Sequence, residues 1–191
     1  MEKIWNKLMM LIGNAFAVAG IMGNLQAESG LRSNNLENSK EAKLGYNDVT
    51  YTEAVNSGAM KIDEFSRDGA GYGLAQWTFW SRKQELMRFI FNAGYNDIAS
   101  VDGQIEFLVY ELKTNYSDLY RRLLNIKDIK EASDIFCKEF ERPANTSEGV
   151  LALRSEYAKD IYNKMYCVSS SAFDKEMETI YQCLKRMGFK G

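Results

Sequence analysis

Glu28 is the side chain best placed to do acid chemistry. It follows a stretch of small and apolar residues, Asn14 to Ala27, in which Ala15, Ala17, Ala19, Gly20 and Gly23 leave little side chain on one face. That stretch reads as a buried helix that other backbones approach closely. Ser29 and Gly30 should end it, because serine is a weak helix former and glycine takes the left-handed conformation that closes a helix C-terminus. A carboxylate at that end meets the partial negative charge of the helix dipole and loses water to an apolar wall. Both effects favour its protonated form, the state a general acid needs.

A second run, Asp68-Gly69-Ala70-Gly71-Tyr72-Gly73-Leu74-Ala75-Gln76-Trp77-Thr78, has three glycines at alternate positions. They permit tight turns and close approach of backbone to a ligand, while Tyr72 and Trp77 supply flat faces that suit a packed core or a sugar-stacking subsite equally. Asp68 opens this run and is the nearest candidate for a second carboxyl, although an aspartate before glycine is also a common turn residue. The run is not read as a phosphate loop: no Gly-Lys-Ser/Thr follows, and no strand-to-helix pattern surrounds it.

The chain of 191 residues contains no histidine, which removes Ser-His-Asp triads, Cys-His dyads and His-ligated zinc at once. Catalysis must then use carboxylates, hydroxyls or lysine, with no metal and no organic cofactor. Cys137, Cys167 and Cys183 form an odd set without metal-type spacing and read as reduced thiols or at most one bridge. With a formal net charge of -2 and mixed signs along the chain, nucleic acid is not an expected partner. Lys3 and Lys7 before Leu8 to Ile12, with Ala15-Phe16-Ala17 beyond, have the look of a leader peptide. The same segment continues as the helix bearing Glu28, so an uncleaved helix is the reading adopted, and no run is long enough to span a membrane.

The elements that must position these groups are mostly helical. Residues 2 to 12 place Ile4, Trp5, Leu8, Met9 and Ile12 on one side at helical spacing. Residues 30 to 68 lose periodicity and read as a loop-rich lobe, with room for minor β structure and one short helix at 48–55 capped by Thr50 or Thr52. Helices are expected at 81–93, 101–113, 117–125 and 129–140, the last ending at Pro143, the single proline, and a long one at 147–166. The expected organisation is a mainly α domain over 1–166. A linker and a short amphipathic helix, with Phe173, Met177, Ile180 and Leu184 on one face, occupy 167–191.

Ala27-Glu28-Ser29-Gly30, together with Gly71-Tyr72-Gly73-Leu74-Ala75-Gln76-Trp77-Thr78, resembles the phage tail lysozyme family and, more distantly, goose-type lysozymes and lytic transglycosylases. In that superfamily a Glu-Ser at the end of a buried helix precedes a Gly-Leu-Met-Gln run. Trp80-Ser81-Arg82 and Glu141-Arg142-Pro143 extend the likeness over roughly residues 1 to 166. Ala75 stands where the relatives usually carry Met, and Thr78 stands near where goose-type enzymes carry an aspartate.

The resemblance implies a lysozyme-like fold and cleavage of the β-1,4 link between N-acetylmuramic acid and N-acetylglucosamine in peptidoglycan, with Glu28 as general acid. It also implies that Gln76 bonds the substrate's acetamido group or peptide stem, that Tyr72, Trp77 and Trp80 line subsites, with Trp80 weighed against a core position, and that Ser29 supports Glu28. Glu141 is a further candidate at the cleft edge, weighed against an ion pair with Arg142 that locks a helix end. For the second step three routes stay open: a carboxylate such as Asp68 activates water, Thr78 or a backbone group orients it, or the muramic acid reacts internally to leave an anhydro sugar. The expected partners are glycan strands, met by a monomer or by part of a larger phage assembly. Such a protein is made in the host cytoplasm and reaches the wall by holin-dependent release or on a phage tail. A silent wall-binding module and a structural tail component are the competing classes.

Overall fold

The computed structural model describes residues 1–167, so the amphipathic pattern at 173–184 and two of the three cysteines, one at position 183 and the side chain at position 167, lie outside the described part. Ten α-helices fill the described residues: α1 (Glu2–Ile12), α2 (Ala15–Ser29), α3 (Asn38–Leu44), α4 (Asp48–Asn56), α5 (Ile62–Arg67), α6 (Trp80–Asn92), α7 (Val101–Thr114), α8 (Ser117–Asn125), α9 (Ile129–Phe136) and α10 (Glu148–Tyr162). One-turn π-type segments, Cys137–Glu141 and Asn163–Cys167, extend α9 and α10. The fold is mainly α, as the periodicity requires.

Helix α2 is the axis of the domain. Asn14 starts it by accepting hydrogen bonds from the backbone of Phe16 and Ala17, and Gly30, at φ 62°, ends it. It packs chiefly against α9 and α10, with α1 on another side. The small residues set that closeness: a Cβ added at Gly20 would lie 2.6 Å from the Ala132 Cβ of α9, and one at Gly23 would lie 2.5 Å from the Arg154 carbonyl of α10. Neither distance is sterically possible without a shift, so glycine is what lets both helices reach α2.

The lobe between α2 and the glycine-rich run departs from the expectation. It holds the short helix expected at 48–55, which is α4, and two further ones, α3 and α5, where loops were expected; among the described residues its β structure is limited to isolated bridges pairing Leu36 with Tyr72 and Tyr72 with Trp77. The predicted cap of α4 is also corrected. Asn47, not a threonine, caps it, accepting from the Val49 and Thr50 backbones while the Thr50 hydroxyl accepts from the Asn47 N–H. Helices α3 and α5 are too short for a sustained stripe of apolar residues, which is why the pattern does not reveal them.

Candidate functional site

The end of α2 and the glycine-rich run are tied together. Buried Ser29 donates from its hydroxyl to the Leu25 carbonyl at 3.1 Å and to the Leu74 carbonyl at 2.8 Å. On the other side of the run, fully buried Gln104 of α7 accepts from the Leu74 N–H at 2.9 Å and donates to the Ser33 and Ile98 carbonyls. Gly73 is required there, since a Cβ at its φ of 79° would fall 2.6 Å from the Gln104 Oε1. Glu37 clasps Gly71 from both sides: its N–H donates to the Gly71 carbonyl, and its carboxylate accepts from the Gly71 N–H. Burial works against the Glu37 charge, but the Ser39 hydroxyl, the Gly71 N–H and nearby lysines outweigh it and hold the carboxyl below its ordinary range.

These segments line a cleft of about 500 Å³. Glu28, Gln76 and Thr78 face it from the α2 end and the glycine-rich run; Arg82 and Phe79 come from the start of α6, and Glu141 and Pro143 from the segment after α9. A polar depression lined by Ser29, Arg32, Asn35 and Ser39 shares Glu28, Glu37 and Gln76 with it, so Glu28 stands where the two meet. Gln76 holds its place by donating to the Asn35 and Gly73 carbonyls, each at 3.0 Å. Among the described residues three that are not glycine have positive φ: Leu31 at 61°, Gln76 at 46° and Arg142 at 52°. Gln76 and Arg142 lie in the segments that build the cleft and Leu31 in the one that lines the adjoining depression, the pattern expected when backbone strain is kept at a functional site.

Glu28 is not the isolated acid that the sequence implies. Its Oε1 accepts from the Arg154 Nη2 of α10 at 2.6 Å, and the two side chains are 21% and 9% exposed. Arg154 is aimed by Asn24, one turn back on α2, which accepts from Nη1 and donates to the Gly20 and Ser133 carbonyls. The close approach at Gly23 therefore also fixes the cation that meets Glu28.

Glu141 is the reverse case. It does not pair with Arg142: the π-type turn and the left-handed conformation of Arg142 turn the arginine outward and leave the carboxyl against the cleft. Its Oε1 is enclosed and has no hydrogen-bond partner. Burial, then the charge on Glu28, pushes the Glu141 carboxyl well above the ordinary glutamate value, against the pull of Arg82 and Arg154. The guanidinium of Arg82 is itself held by buried Glu111, at 2.6 and 2.9 Å, and lies over the Phe140 ring.

Other predicted site residues lie elsewhere. Asp68 does not line the cleft; it accepts from the Lys83 Nζ at 2.6 Å, from the Ala70 N–H at 2.9 Å and from the Tyr51 hydroxyl. Lys83 is fully buried, donates also to the Tyr51 hydroxyl and the Ala70 carbonyl, and is drawn down to about 8 by burial against the pull of Asp68. This cluster anchors the start of the glycine-rich run. Tyr72 and Trp77 are fully buried: the Tyr72 hydroxyl bonds Thr52, and the Trp77 Nε1 donates to Glu111 at 2.7 Å. Both are core residues, not subsites. Arg154, Glu111 and Gln104 carry no local motif, and sequence reasoning misses them. Among the described residues no group of three or more His, Cys, Asp or Glu is gathered to hold a metal ion, and no helix is long and apolar enough to cross a membrane.

In a comparison with known families, the family model described as phage tail lysozyme matches residues 1–165. No curated protein matches the sequence.

Proposed function

Since the chain belongs to the phage tail lysozyme family, whose membership supports a lysozyme-like, cell-wall-directed role, we propose that it hydrolyses the β-1,4 bond between N-acetylmuramic acid and N-acetylglucosamine at the Glu28–Glu141 pair. The observation that carries this reading is the asymmetry of the pair: one carboxylate paired with an arginine, the other with an enclosed oxygen that has no hydrogen-bond partner, both facing one cleft. Two carboxyls in such contrast bring one proton and one negative charge to the same place, the inventory that glycoside cleavage needs.

In this reading Glu141 holds the proton in the empty cleft, and transfer within the pair makes Glu28 the donor to the leaving oxygen. The Glu28 carboxylate left behind, kept in place by Arg154, faces the oxocarbenium-like centre. Water then adds to the anomeric carbon as its proton returns to Glu141, so the pair is regenerated and the product has a new reducing end. Gln76 and Thr78 hold the sugar's amide and hydroxyl groups along the run, and Ser29 fixes the end of α2. Glu141 takes the place that Asp68 held in the sequence reading. The protein acts on the wall after holin-dependent release or as a tail component.

Digestion of purified cell walls with analysis of the sugar ends tests this. New reducing ends with the parent chain, and none with Glu28→Gln, are expected. Anhydro ends would replace hydrolysis by transglycosylation, and clearing by Glu28→Gln at the parent's rate would end the enzymatic reading in favour of a wall-binding or structural module.

A further inference from the structure

Phe79 and Trp80 are exposed by 62% and 44%, while Tyr72 and Trp77, a few residues earlier, are fully buried. The exposure follows from the local backbone. Phe79 is the extended residue before α6, its carbonyl accepts from the Lys83 N–H at 3.0 Å, and Lys83 is locked below by Asp68 and Ala70. The backbone at this point is therefore held in place, with both aromatic rings turned outward. Phe79 lines the cleft itself. The Trp80 ring lies 6.2 Å from the Phe79 ring, and the Arg67 guanidinium lies 5.0 Å from the centre of the Trp80 ring.

We propose that Phe79 and Trp80 form a sugar-binding platform continuous with the cleft, which takes an N-acetylhexosamine unit of a β-1,4-linked glycan strand beyond the units held at Glu28 and Glu141. The proposal rests on the wall-glycan reading of the cleft and adds where the strand continues. In a β-1,4-linked aminosugar the ring substituents are equatorial, so each ring presents a flat face of axial C–H bonds. Such a face packs on an aromatic ring, and a rigid exposed ring loses little freedom in binding it. Continuity favours this occupant: the first ring of the row is already a wall of the cleft, and the second, beside it, lies outside the cleft lining. Arg67, stacked on Trp80, adds a cation on the same row for the carboxylates of a strand that carries peptide stems.

The test uses the full chain in the Glu28→Gln background, so that binding is read without turnover. Sedimentation with insoluble walls, and with glycan strands stripped of their peptide stems, is compared for Glu28→Gln alone and combined with Phe79→Ala, Phe79→Leu or Trp80→Ala. A loss of about three- to tenfold in affinity on both materials for the alanine variants, with Phe79→Leu between parent and alanine, is expected. Because both rings are exposed, unchanged thermal melting checks that the variants fold. Unchanged affinity would overturn the platform while leaving the cleft reading to the wall digest. A loss on intact walls but not on stripped strands would overturn the sugar assignment in favour of a peptide contact. If Glu28→Gln alone bound neither material, the platform and the peptidoglycan reading would fall together.

Discussion

The two glutamates of the cleft have the same functional group and opposite surroundings. Glu28 ends a helix packed on both sides, with a guanidinium from α10 brought to it by the glycine contacts of α2. Glu141 ends a one-turn distortion, beside a left-handed residue, with an enclosed oxygen and no hydrogen-bond partner. The first carboxylate is an asset to the fold: it pairs with the Nη2 of Arg154. The second is a liability that the fold carries, and the difference teaches that stability alone explains Glu28 but not Glu141. A side chain that costs stability and faces a cleft is a stronger sign of function than one that adds to it.

The contrast can be broken most sharply by removing each charge. Glu28→Gln should lower wall-digesting turnover by about two to four orders of magnitude. It should also destabilise the chain by about 1–3 kcal/mol, because Arg154 loses its carboxylate. Glu141→Gln should lower turnover by about tenfold to a hundredfold while shifting stability the other way at neutral pH, by on the order of 1 kcal/mol. The sign follows from linkage. A carboxyl raised in the folded state stabilises fully below its unfolded value of 4.5, and that contribution is lost as the pH climbs through the raised value. The parent's disadvantage relative to Glu141→Gln should therefore grow with pH above about 4.5, which urea midpoints across a pH series will show.

Asp68 sharpens the comparison from outside the cleft. Asp68→Asn should cost about 3 kcal/mol or more, because it strips a buried ammonium of its partner, while turnover per folded molecule stays near the parent's. In the parent, Lys83 binds fewer protons folded than unfolded between about 8 and 10.5, so its share of stability should rise with pH across that window. Gly23→Ala reaches the pair only indirectly. Its methyl group must displace the Arg154 backbone, at about 1–3 kcal/mol, and should weaken activity through the Glu28–Arg154 contact and leave Glu141 in place.

Much of this was legible in the amino-acid sequence where the determinants are local. The glycines and alanines of α2, Asn14 before it and Gly30 after it specify a close-packed helix and its end, so Glu28 could be placed at a site. What was not legible depends on residues far apart in the chain. Arg154 is 126 residues from Glu28, and nothing near either marks the pair. Asp68 looked like an open carboxylate because its partner lies a whole turn of loop away, on α6. Glu141 and Arg142 looked like an ion pair because they are neighbours, yet one residue of left-handed backbone sends them apart. Outside α4 the lobe looked like loop because helices of six and seven residues bury too few side chains to leave a period.

The proton on Glu141 is the centre of the account, and carboxyl carbon NMR through a pH titration observes it directly. One glutamate resonance of the parent chain should titrate well above the ordinary glutamate range and should vanish from that range in Glu141→Gln. If every glutamate titrates in the ordinary range, or if the high-titrating resonance survives in Glu141→Gln, the assignment of the resting proton to Glu141 is contradicted.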